Sequence, residues 1–242
     1  MKKQIPNLIT LGNLLCGVMA SLLACQGRTA EAVLFIGLGI VCDFLDGLVA
    51  RLLNATSTLG KELDSLADIV TSGVAPTFIL FNILWNHSTS IYIKYIALLI
   101  PLFSAYRLAK FNLDTRQSKH FLGLAVPANA VLWAGIGLWG YEYTLLPFSI
   151  ISTDSIFCSI FSDPGLVLLA LVSVFTDILM ISEMPMFSLK FHNLKWGENW
   201  YRYLYLIGCV ALVLLFDVLG IALCILWYIL LSGVVQKQIK NE

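Results

Sequence analysis

The sequence predicts an all-α membrane protein: a polytopic bundle of about eight transmembrane helices with both termini cytoplasmic. Three observations carry this. Only 12% of the 242 residues are charged and 59% are hydrophobic, with a mean hydropathy of +0.85, whereas about a quarter of a soluble domain is charged. Apolar runs of spanning length recur along the whole chain. Basic residues fall almost entirely on alternate connections between those runs.

The runs cover roughly 8–25, 32–53, 65–85, 91–111, 123–141, 165–184, 201–216 and 219–236. A spanning helix needs about 20 residues. The first run follows Lys2 and Lys3, as in a signal peptide, but Cys25-Gln26-Gly27 fits a small-residue cleavage site poorly. It is read as the first membrane helix. The last two runs share one apolar stretch from Trp200 to Val235, broken only by Asp217 and Gly220. That stretch is too long for one span and just sufficient for two joined by a tight turn. With the N-terminus in the cytoplasm, alternation places all 15 basic residues on cytoplasmic ends except Arg28 and Lys94, as the positive-inside rule requires. The largest connection on the other side, about 142–164, has Glu142, Asp154 and Asp163 but no Lys or Arg. No repeat, low-complexity tract or linker divides the chain, so 1–242 reads as a single domain.

Other chemistries lack the residues they need. Cys16, Cys25, Cys42, Cys158, Cys209 and Cys224 form no C-x-x-C pair and are expected to be small buried hydrophobes. His87, His120 and His192 lie far apart, which argues against zinc. The formal net charge is zero, and no nucleic-acid partner is expected. Asp177 and Asp217 are solitary carboxylates, expected to be paired or capped.

The stretch CDFLDGLVARLLNATSTLGKELDSLADIV, from Cys42 to Val70, is different. Asp43, Asp46, Gly47, Ala50 and Arg51 share one face of a helix, and Asp64 and Asp68 share a face at the start of the next. A short connection, about 54–63, makes the two helices antiparallel neighbours, so the four carboxylates converge in the cytoplasmic half of the pair. A charge in a membrane segment costs at least about 2.5–3.5 kcal/mol on insertion scales, and four together also repel. Bound cations resolve this. All-oxygen ligation suits magnesium or manganese, and two ions sharing carboxylates are a common device in phosphoryl chemistry. Gly47 and Ala50 leave the helix bare for a phosphate ester. Arg51 offers a fork for its oxygens, Ser57 and Thr58 offer hydroxyls, and Gly60 lets the connection bend.

The pattern D-x2-D-G-x2-A-R-x8-G-x3-D-x3-D is met by Asp43, Asp46, Gly47, Ala50, Arg51, Gly60, Asp64 and Asp68, and it resembles the signature of the CDP-alcohol phosphatidyltransferase family. IPNLITLGNLLCG at 5–17, KELDSLADIVTSGVAP at 61–76, AYRLAKFNLD at 105–114 and FLGLAVPANA at 121–130 resemble its membrane-embedded bacterial phosphatidylserine synthases. Lys110 stands where Arg is more usual, and Ala125 where Pro is.

The resemblance implies an integral membrane homodimer with two divalent ions, Mg2+ or Mn2+. Such an enzyme displaces CMP from CDP-diacylglycerol with an alcohol, here L-serine, in a bacterial plasma membrane with the site facing the cytoplasm. It implies that Asp43, Asp46 and Asp64 ligate metal, and that Asp68 ligates metal and acts as general base. Gly47, Arg51 and Ser57 would contact the CDP pyrophosphate and nucleotide, with Ala50 and Gly60 on the same surface and Asn7 and Thr10 helping from the first helix. Arg107 and Lys110, at the cytoplasmic end of the fourth helix, are candidates for the serine carboxylate as well as ordinary positive-inside anchors. Three alternatives stand beside this: another acceptor, glycerol 3-phosphate or inositol phosphate; a membrane prenyltransferase, whose motifs lack the G-x2-A-R element; and a transporter using membrane carboxylates, in which interrupted helices near the midplane are more usual.

Overall fold

The computed structural model describes residues 4–113, 121–142, 154–189 and 196–236. Lys2, Lys3, Arg116, Lys119, Lys190, Lys195, Lys237, Lys240, His120, His192 and residues 143–153 of the 142–164 connection lie outside them.

Helix α1 (Gln4–Cys25) turns through Gly27 into α2 (Thr29–Leu52); Gly27 has φ 76°. Helix α3 (Thr58–Asp68) passes through a π-helical turn, Ile69–Val74, into α4 (Ala75–His87). A short α5 (Ile91–Lys94) and a 3-10 turn, Tyr95–Leu98, lead into α6 (Leu99–Leu113). There follow α7 (Val126–Glu142), α8 (Asp154–Ile160), α9 (Asp163–Ile181), α10 (Trp196–Phe216) and α11 (Val218–Val234). Six helices among the described residues are long and apolar enough to cross a membrane: Gln4–Cys25, Thr29–Leu52, Thr58–His87, Ile91–Leu113, Asp163–Ile181 and Asn199–Phe216. Helices α7 and α11, each 17 residues, occupy the other two expected positions. The long C-terminal stretch is two helices, broken at Asp217, whose φ of 52° is left-handed.

Side-chain patterning explains the bundle. On α1, Leu8, Leu11, Leu15, Val18 and Leu22 face outward, a stripe at helical spacing suited to lipid. Its other face buries Thr10, Asn13, Gly17, Ala20 and Ala24. Lipid tails are as apolar as leucine, so close approach through small residues matters more than apolar burial. A Cβ on Gly17 would stand 2.8 Å from the Thr71 main chain, and one on Gly135 would stand 3.0 Å from the Ala222 nitrogen. Between α4, α6, α7 and α9, Trp133 is fully buried with Leu84, Ile100, Leu132 and Leu166.

Proline shapes the third span. Pro76 cannot donate to the carbonyl one turn back, and its ring crowds that turn. The preceding segment widens, and the Ala75 amide bonds to Val70, five residues earlier.

The chain folds as the expected helical bundle, with one small addition: Phe121–Leu122 and Pro185–Met186 form a two-residue antiparallel pair. Main-chain groups in these turns need partners, and Gly123, at φ 72°, donates its amide to the Met184 carbonyl at 2.9 Å. The expectation of buried cysteines needs correction: Cys25, at the end of α1, and Cys158, in the short α8, are exposed, and the other four, within long helices that can turn a small apolar side chain to lipid, are intermediate. Asp177 lacks the expected partner, being fully buried with neither carboxylate oxygen hydrogen-bonded. Asp217 is exposed at the helix break and makes no side-chain cap.

Contacts sort the chain into two ends. Lys61 donates to the Asn112 carbonyl at 3.0 Å, Lys110 to the Ile181 carbonyl at 3.2 Å, and Arg202 to the Ser188 carbonyl at 2.9 Å. At the other end, Arg28 pairs with Glu31, Lys94 lies over Trp85, His87 meets Phe161, and Thr89 bonds Asp163.

Candidate active site

Ser57 starts α3. It is extended, and its Oγ accepts from the Gly60 amide at 3.0 Å, satisfying one of the unpaired amides of the first turn. This fixes where α3 begins, and so the direction of Asp64 and Asp68 two and three turns on. The expectation of α2 and α3 as simple packed neighbours is refined. Both lean on α1, and the space left between them is the site.

Asp43, Asp64 and Asp68 each place a carboxylate oxygen within 4.8 Å of the other two. Asp46, nearly buried, lies beside this trio and accepts a 2.5 Å hydrogen bond from Thr10. Asp68 accepts from Asn13 at 3.1 Å. One oxygen of Asp64 is buried with no donor. Three carboxylates this close, one with an orphaned oxygen and all donors oxygen, fit a hard divalent cation.

Beside the carboxylates is a cavity of ≈ 580 Å³, within the range of small-molecule sites. Its walls include Asn7 and Thr10 of α1, Gly47 and Ala50 of α2, and Ser57 and Gly60 at the start of α3. A Cβ on Gly47 would meet nothing within 4 Å, so that wall is open. Arg51 is exposed, with its Nε on the Gly47 carbonyl at 3.0 Å. Arg107 is buried, close enough to Asp68 for their opposite charges to attract, and lies over the Phe111 ring at 5.2 Å. Lys110 points away, 3.9 Å from Glu183.

Three contributors carried no signal of their own. Asn13 and Thr71 are ordinary polar residues in apolar runs. Lys61 had only a topological reading, yet it lines the cavity. The i, i+3 spacing from Thr10 to Asn13 was the available hint, since it puts both on one face of α1.

With this geometry established, comparison with known proteins defines the class. The model of the CDP-alcohol phosphatidyltransferase family matches residues 3–157, and this chain belongs to that family. Its six helices long and apolar enough to cross a membrane make it an integral membrane protein. It is similar to the CDP-diacylglycerol–serine O-phosphatidyltransferase of Bacillus subtilis strain 168, 38% identical over 143 residues, 59% of this chain and 77% of that one. The protein so named from Helicobacter pylori strain J99 is 40% identical over 129 residues, 52% of this chain and 54% of that one. An archaetidylserine synthase of Methanothermobacter thermautotrophicus is 32% identical over 143 residues, 57% of this chain and 59% of that one. The chain thus spans little more than half the length of the last two.

Proposed function

We propose that this protein transfers the phosphatidyl group of CDP-diacylglycerol to L-serine, giving phosphatidylserine and CMP. The observation that carries the reading is the carboxylate trio opening beside a cavity walled by bare helix at Gly47 and Ala50. The names of the similar proteins supply the acceptor.

The cavity takes the CDP end of the lipid. Asn7, Thr10 and Ser57 offer polar groups to it, Gly47, Ala50 and Gly60 let it approach the backbone, and Arg51 and Lys61 balance its charge. Asp68 accepts the proton of the serine hydroxyl. That oxygen attacks the phosphorus joined to diacylglycerol, the bond from that phosphorus to the bridging oxygen breaks, and CMP departs with the electron pair. Two Mg2+ or Mn2+ ions held by Asp43, Asp46, Asp64 and Asp68 would neutralise the pyrophosphate and the charge gathering on the transferred phosphoryl group. Arg107, buried near Asp68, holds the serine carboxylate. Lys110, tied to the Ile181 carbonyl, anchors this end of α6 rather than holding the serine.

The same reading takes 1–242 as one catalytic domain with eight spans. Both termini and the site face the cytoplasm of a bacterial plasma membrane, and the enzyme is a homodimer. Its support is the gathering of Arg51, Lys61, Arg107 and Lys110 at the site's end of the bundle. Purified protein in detergent, given CDP-diacylglycerol, Mg2+ or Mn2+ and labelled L-serine, glycerol 3-phosphate or inositol phosphate in parallel, tests the proposal. Labelled lipid is expected from serine alone. Labelling by another alcohol overturns the acceptor, and absence of CMP release with every alcohol overturns the reaction.

A further inference from the structure

Asp68 is gripped by a helix that contributes no carboxylate. Asn13 of α1 is fully buried, and its side-chain amide donates to Asp68 Oδ1 at 3.1 Å. Three residues beyond Asp68, on the π turn, Thr71 donates its hydroxyl to the Asn13 main-chain carbonyl at 3.0 Å. One residue of α1 therefore makes two bonds to α3 and its continuation, one donated and one accepted. The carboxylate fixes which way the amide lies: it can only accept, so the NH2 faces Asp68 and Oδ1, buried without a donor, is turned to the bare Gly39, where a Cβ would stand 2.9 Å from it.

We propose that Asn13 is the positioning residue of the reaction. Its amide sets the rotation of the Asp68 carboxylate, and Thr71 locks Asn13 in place. One carboxylate oxygen is engaged by a neutral donor. The other is left presented to the cluster formed with Asp43 and Asp64. A neutral amide orients the carboxylate without cancelling its charge, as a lysine or arginine in its place would. The inference rests on reading Asp68 as metal ligand and base. Partners that orient a ligand are worth about 10–100-fold in metal affinity or activity.

The test compares Asn13→Ala, Asn13→Asp, Thr71→Val and Thr71→Ser in the full chain in detergent. Two quantities are read: Mn2+ affinity by electron paramagnetic resonance titration without lipid substrate, and kcat and KM for CMP release. Asn13→Asp keeps the shape but replaces the donor with a second negative charge facing Asp68, whereas Asn13→Ala removes the donor alone. Both Asn13 variants are expected to weaken Mn2+ binding and lower kcat by about 10–100-fold while KM for CDP-diacylglycerol moves less than about threefold. Thr71→Val shifts both quantities the same way by less, and Thr71→Ser restores them. Unchanged Mn2+ affinity and kcat in a folded Asn13 variant overturn the proposal, as does a Thr71→Val protein that matches Thr71→Ser. Should the Asn13 variants fail to fold, the Thr71 pair decides. A wild type that binds Mn2+ but releases no CMP with any alcohol sinks the proposed reaction, and the titration still judges Asn13.

Discussion

At Asp68 the roles of ligand and base meet, and Asp68→Asn removes the base while keeping the shape. CMP release is expected to fall by about 10²–10⁴-fold with the helices intact by circular dichroism; retention of more than about a tenth of wild-type kcat would leave Asp68 no part in proton transfer. Arg107 and Lys110 separate in the same assay. Arg107→Lys loses the planar fork and is expected to raise KM for serine about tenfold, corresponding to roughly 1.4 kcal/mol. Lys110→Ala, whose ammonium lies on the Ile181 carbonyl, moves it far less. Equal effects would assign both residues the same task. The aspartates were legible in the sequence because carboxylates are costly in a membrane and must be explained. Asn13 and Thr71 were not, because a neutral polar side chain acquires meaning only from the helix opposite it, and Lys61 read as one more topological charge.

At the scale of elements, the π turn Ile69–Val74 sets the phase between the carboxylate-bearing α3 and the packed α4. A π turn holds about one residue more than the α turn it replaces, so it keeps the two helices in phase despite the extra residue. Inserting an alanine between Asp68 and Ile69 adds a residue the turn does not absorb, and Asp64 and Asp68 would rotate by about 100° against Leu80 and Leu84 in the core. The insertion is expected to abolish Mn2+ binding and CMP release while the protein still enters the membrane and purifies as a folded species; an active insertion variant would mean the turn has no such role. A second variant probes packing at the same place. Gly17→Ala drives a methyl against the Thr71 main chain and is expected to cost about 1–3 kcal/mol, read as a lower midpoint of thermal unfolding in detergent. Run length and hydropathy placed the candidate spans within a few residues except the third, which begins at Thr58 rather than about 65. The π turn escaped because it arises from Pro76 acting on residues before it, and the small antiparallel pair escaped because Phe121 and Pro185 are distant in the chain.

For the whole molecule, orientation is the property to measure. Cys25 and Cys158 are exposed and lie at the end away from the carboxylates, while Thr56, exposed in the α2–α3 connection, lies at the other. A membrane-impermeant maleimide applied to spheroplasts is expected to modify Cys25 and Cys158 directly, and a Thr56→Cys variant only after permeabilisation, as read by mass spectrometry. The reverse pattern would turn the protein over. Charge distribution supports an expectation of topology because translocation acts on the sequence itself, whereas the lean of α2 and α3 on α1 depends on packing that no local pattern encodes. The clasp of α1 on its neighbours also bears on how the protein is made. Ribosomes deliver helices in order, so Thr10 and Asn13 are in the bilayer before Asp46 and Asp68 arrive. Each of these acids emerges from the translocation channel to find its donor already waiting, and the nascent chain is spared an interval with those two carboxylates unattended in lipid.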